Sequence, residues 1–149
     1  METKKHKIMI KTIFNPGNYP KNIDFALLIL RIAGGGFMLT HSIGKFIKLT
    51  GDEPIQFADP IGVGVTASLI LTVFAEVFCS IFLILGLAAR FSAIPLLITM
   101  LVAAFLVHAN DGFGKQELPL LYAVTYLVIA IAGAGKYSFD DLIYKKLKT

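Results

Sequence analysis

Four apolar stretches, at about 23–45, 63–87, 91–108 and 117–135, alternate with shorter polar segments along the chain. Each is close to the roughly 20 residues that a helix needs to cross about 30 Å of hydrocarbon at about 1.5 Å per residue. A helix half-facing water carries a polar stripe every 3.6 residues or so, and none of the four shows one. Arg31 interrupts the middle of the first stretch and Glu76 that of the second. The pattern predicts an all-α protein, a four-transmembrane-helix bundle over 23–135. A polar basic segment at 1–22 precedes it and a basic tail at 136–149 follows.

Local signals refine the helix ends. Asp24 is placed to cap the first helix. Pro95 and Pro119 are expected in the first turn or so of the third and fourth helices, where a missing N–H costs little. The run Leu85-Gly86-Leu87-Ala88-Ala89-Arg90 makes a short connection, so the second and third helices should be antiparallel neighbours. The connection at about 46–62 is the longest and carries Asp52, Glu53 and Asp59, which suits a short lid or an interfacial segment.

Composition supports lipid as the solvent. Apolar residues make up 56% of the 149 residues, and mean hydropathy is +0.73, more than the core of a soluble domain this small needs. The formal charge of +4 gathers at the chain ends rather than along one basic face, which argues against a nucleic-acid partner. Lys4, Lys5, Lys7, Lys11, Lys21, Arg90, Lys136, Lys145, Lys146 and Lys148 fall on one side of the bundle, against Lys45, Lys48 and Lys115 on the other. The positive-inside rule then places both termini in the cytoplasm of a bacterial-type inner membrane. No small-x-small cleavage site follows the polar N-terminal segment, so it is expected to stay on the chain. Cys79, the one cysteine, supports no internal disulfide and reads as a small buried hydrophobe.

Ionisable residues at membrane depth are costly unless paired or wet, so they direct the search for chemistry. Counting from the helix ends puts Arg31 and Glu76 at similar depths, which predicts an intramembrane ion pair inside the bundle. His41 and Lys45, four residues apart, share a side of the first helix. With His108, Glu117 and Tyr122 they could form an outward-facing pocket for an anionic or quinone-like head group, or a snorkelling cap at the interface. Gly34, Gly35, Gly36 and Gly44 allow close helix packing. No short ligand spacing supports a metal, and no cofactor motif is evident.

The order of short motifs resembles the DoxX family of small four-helix membrane proteins. It runs Leu30-Arg31-Ile32, Gly36-Phe37, His41-Ser42-Ile43-Gly44-Lys45, Glu76, Leu85 to Arg90, Met100, His108, Glu117, Leu121-Tyr122 and Gly135 to Asp140. Ser42 stands where the family often has glycine, and Val77-Phe78 follows Glu76 where it often has a glycine pair. The family includes a quinone-reducing thiosulfate oxidoreductase subunit and a membrane partner in a redox-stress complex. The resemblance therefore implies a subunit of a larger membrane assembly or a homo-oligomer, with a quinone as the possible cofactor. An accessory subunit without chemistry and a small-solute transporter or channel are the alternatives.

Overall fold

The computed structural model describes residues 11–148, the side chain of Lys148 apart, so Lys4, Lys5 and Lys7 of the basic N-terminal segment lie outside it. Four helices are long and apolar enough to cross a membrane: α1 (Lys21–Thr50), α2 (Val65–Leu85), α3 (Ala89–Val107) and α4 (Phe113–Ala132). A shorter helix, α5 (Phe139–Lys148), follows, and there is no strand among the described residues. α3 packs most extensively on α4, and α1 on the last turns of α2. Met38, Cys79, Leu83, Leu96, Met100, Tyr126 and Ile129 fill the space between the helices. Phe37, Phe105, Leu121 and Ile131 stay exposed on the outer faces. So much apolar surface turned outward on all four helices suits hydrocarbon and not water.

Pro16, Tyr19 and Gly135 meet at one end of the bundle, the terminal end. There the Gly135 N–H donates to the Pro16 carbonyl and the Tyr19 hydroxyl to that of Ala132. The α1–α2 and α3–α4 connections lie at the other, loop end. Helices α2 and α3 are joined through Gly86 and Ala88, both left-handed at φ 66° and 46°. A side chain at position 86 would collide with the Arg31 guanidinium, so glycine is required there. Ala88 bears the left-handed strain with a Cβ, at a cost of about 1–2 kcal/mol.

That strain is held from the far end of the chain. Asp140, at the start of α5, accepts the N–H of Ala88 (2.6 Å) and of Ala89 (3.0 Å), and its own N–H donates to the Gly86 carbonyl. A carboxylate 51 residues away thus caps the N-terminus of α3. Burial pushes the Asp140 carboxyl up from its ordinary range, against the pull of those two amides and of the Arg31 charge. Arg90 works at the neighbouring helix end, donating to the carbonyls of Ile131 (2.6 Å) and Ala132 (2.9 Å) that α4 leaves free.

Three expectations about helix ends change. Helix α1 starts at Lys21, which puts Asp24 inside its first turn, buried. There it accepts the Lys136 N–H (3.0 Å) instead of capping the helix. Pro95 and Pro119 are each the seventh residue of their helix, beyond the first turn, because α3 and α4 begin earlier than their apolar stretches.

Candidate functional site

Two stretches of backbone depart from α-helical winding, and both border the same space. Phe74–Cys79 of α2 and Ala103–Val107 of α3 are π-helical. The His108 N–H reaches back five residues to the Ala103 carbonyl at 3.0 Å. The wider turn shifts side-chain register. In α2 it leaves Ala75, Glu76 and Cys79 all buried. Between the two segments, and under Phe57–Ile61 of the α1–α2 connection, lies a cavity of about 510 Å³. Leu71, Phe74, Ile98 and Val102 give it an apolar wall, and Lys45, Glu76 and His108 give it charge and hydrogen-bonding capacity.

Glu76 is 1% exposed and is held entirely from α1. Lys45 Nζ stands 2.7 Å from each of its carboxylate oxygens. The Ser42 hydroxyl has one proton for two acceptors, Met38 O at 2.7 Å and Glu76 Oε2 at 2.9 Å. A third of the Lys45 side chain remains open (34%), leaving ammonium protons available on the cavity side.

At the mouth, His108 Nδ1 lies 2.8 Å from Asp111 Oδ2, and Gln116 Nε2 donates to the His108 carbonyl. The hydrogen bond from His108 and the charge of Lys115 hold the Asp111 carboxyl below its usual range. Asp59 organises the roof. It accepts the N–H groups of Val63 and Gly64 and the Ser68 hydroxyl, and Ser68 first, then Gly64, keep its carboxyl low.

The structure distributes the sequence candidates differently from the expected pocket. Lys45 and His108 line the cavity. His41 lies edge-on to Tyr122 (6.2 Å between centroids), and Tyr122 stacks on Tyr126, whose hydroxyl donates to the Gly34 carbonyl. These rings form an α1–α4 seam outside the cavity lining. Glu117 is exposed on α4 and does not border the cavity.

The expected Arg31–Glu76 pair does not form. Arg31, fully buried, donates to the carbonyls of Leu83 and Ile84 at 3.3 Å and to that of Tyr137 at 2.6 Å. Helices α1 and α2 do not end in one plane: the end of α2 is level with Arg31, and the first turns of α1 run on past it to meet Gly135 and Lys136. Glu76 is consequently level with Ser42 and Lys45, about three to four turns along α1 from Arg31.

Sequence reasoning also missed Ser42, Asp140 and Tyr126. Ser42 follows His41 where the related pattern has glycine, which was the available signal. Gly34 and Gly35 do lie at helix contacts, whereas a Cβ on Gly36 or Gly44 would meet nothing within 4 Å.

Four apolar spanning helices around an internal charged pair define a multi-pass membrane bundle. The DoxX family model matches residues 26–109, more than half of the chain, and the protein belongs to that family. The match takes in α1 to α3 with Lys45, Glu76 and His108, and stops before α4. An uncharacterized protein of Haemophilus influenzae is 40% identical over 79 residues, 50% of this chain and 52% of that protein, so the chain matches about half of that relative's length. A second from the same organism is 31% identical over 140 residues, covering 87% of this chain and 98% of its own. The inner membrane protein YqjF of Escherichia coli is 29% identical over 127 residues, covering 83% and 95%. No solved structure matches the chain significantly. The protein is a multi-pass protein of the inner membrane.

Proposed function

We propose that the chain is an inner-membrane subunit that binds a quinone in the α2–α3 cavity and works with a redox-active partner. The observation that carries this reading is the cavity itself: about 510 Å³ of mostly apolar space with Lys45 and Glu76 on its wall and His108 at its mouth. Ligand sites are typically apolar spaces of about 300–1,000 Å³ with a few convergent polar groups. A quinone needs that combination, an apolar wall for ring and tail and a donor at each carbonyl. Lys45 is one donor and His108 the other. Conversion of a quinone to its quinol takes two electrons and two protons. Lys45, Glu76 and His108 handle protons, and the electrons come from a partner that carries its own redox centre. The ten basic residues shared by the termini and the α2–α3 turn support a cytoplasmic terminal end, with the cavity mouth on the outer side.

The test is the quinone content of protein purified in mild detergent, measured by solvent extraction and mass spectrometry. Wild type should retain quinone. Ala103→Phe, which fills the cavity from its π-helical wall, should retain about tenfold less, the equivalent of about 1.4 kcal/mol of binding. Equal content in the two proteins, or none in wild type, defeats the reading.

One observation favours a second reading, an accessory subunit without chemistry. The Gly36–Thr40–Gly44 ridge of α1 faces open space, as a docking face for another membrane helix does. Gly36→Leu should then break a native complex that survives Glu76→Gln.

A further inference from the structure

Unlike the spanning helices, α5 has two dissimilar sides. Phe139, Leu142, Ile143 and Leu147 follow the spacing of one helical face, and Asp141, Tyr144 and Lys145 occupy the other. The apolar side is only partly covered: Ile143 and Leu147 are half-buried, but Phe139 is 49% exposed and Leu142 55%, and Tyr137 just before them is 50% exposed.

The start of α5 has a defined depth. Arg31 holds the Tyr137 carbonyl, and Asp140 is locked to Gly86, Ala88 and Ala89 at the α2–α3 turn. Exposed Leu85 and Phe91 flank that turn, so hydrocarbon reaches this level of the bundle. The apolar row of α5 therefore continues the lipid-facing belt at its edge. At ten residues, about 15 Å, the helix is too short to re-enter and span. Around it Lys21, Arg90, Lys136, Lys145, Lys146 and Lys148 outnumber Asp24, Asp140 and Asp141. All three acids are engaged within the protein, Asp24 by Lys136, Asp140 by backbone amides and Asp141 by Lys145.

We infer that α5 is an interfacial helix that lays Phe139 and Leu142 into the leaflet at the terminal end, and that the basic surplus around it selects anionic phospholipid. A soluble partner would need the apolar row turned away from the lipid belt it adjoins, and the charge surplus matches an anionic head group. The inference is independent of what the cavity binds.

The chain has no tryptophan, so Leu142→Trp gives a clean reporter in the otherwise unaltered full-length protein. It would be reconstituted in vesicles of equal phosphatidylcholine and phosphatidylglycerol, with bromine on the acyl chains of one lipid at a time. Bromolipid should quench the reporter and aqueous acrylamide should not, and brominated phosphatidylglycerol should quench more than brominated phosphatidylcholine. Lys21→Gln, at an exposed lysine and with the Lys145–Asp141 pair left in place, should lower that preference about fivefold at low salt, the worth of one lysine at an anionic surface. Acrylamide quenching without bromine quenching would mean that the row faces water or a soluble partner. Protection from both would mean a second copy of the chain covers it, and equal quenching by the two lipids would mean no charge selection. Each of these overturns the proposal, and the reporter decides all three even if the lysine variant fails to fold.

Discussion

Lys45 and Glu76 meet with the ammonium nitrogen 2.7 Å from both carboxylate oxygens, yet their surroundings are unequal: 2% of the Glu76 side chain is exposed, against 34% for Lys45. Both border the cavity, the acid from the bundle interior and the base from its more open side. Only the lysine presents an open group to the cavity while keeping its partner paired.

That asymmetry sets the outcome of a mutant cycle. Lys45→Met leaves the buried carboxylate with Ser42 alone and should destabilise the protein by about 3 kcal/mol. Adding Glu76→Gln removes the stranded charge, so the double variant should be more stable than Lys45→Met. Unfolding titrations in mixed detergent check this, and additive effects would show that the pair is not coupled.

The cap that Asp140 supplies to α3 makes a second prediction. Asp140→Ala strips the acceptor from the amides of Ala88 and Ala89 and should cost about 2–3 kcal/mol, as a buried charged acceptor does. Ala88→Gly relieves the left-handed strain at φ 46° and should stabilise by up to about 1 kcal/mol. Thermal melts of the two variants should therefore shift in opposite directions.

The spanning helices were legible because hydrocarbon tolerates so few polar positions that apolar length alone marks a helix. The terminal end was less so. The Gly135 to Asp140 motif reads as a tail, and the bonds of Tyr137 to Arg31 and of Asp140 to Ala88 join residues more than 50 apart with no periodic signal. The ionisable residues were recognisable one by one, but their partners depended on how far α1 outruns α2. An ion pair between helices depends on relative height, and Lys45, about four turns along α1 from Arg31, is the partner that Glu76 meets. The π-helical turns that open the cavity are likewise invisible in an apolar run, since side-chain hydropathy does not report an extra residue per turn.

Acid should loosen the roof of the cavity. The folded-state pKa of Asp59 is lowered, chiefly by the Ser68 hydroxyl and the Gly64 amide. Its contribution is therefore complete above the ordinary carboxylate value of about 4 and is lost as pH falls through the lower folded value. Hydrogen exchange at the Val63 and Gly64 amides, corrected for intrinsic rates, should lose protection only as pH falls below the ordinary carboxylate value of about 4. Asp59→Asn should expose both amides already at neutral pH and flatten the dependence.

The glycine run on α1 separates two roles that composition cannot. A Cβ on Gly35 would lie 2.6 Å from the Ile84 side chain and 2.9 Å from the Ser80 carbonyl oxygen. Ile84 can rotate away but the backbone oxygen cannot, so Gly35→Ala must push α1 off α2 and should cost about 1–3 kcal/mol. At Gly36 the same methyl meets nothing within 4 Å, and an alanine there gains helix propensity, stabilising by up to about 1 kcal/mol. The two unfolding midpoints should move apart in detergent, where each molecule is studied alone. A destabilised Gly36→Ala that recovers on dilution to monomer would instead place a second helix against the ridge, and would favour the accessory reading over the quinone site.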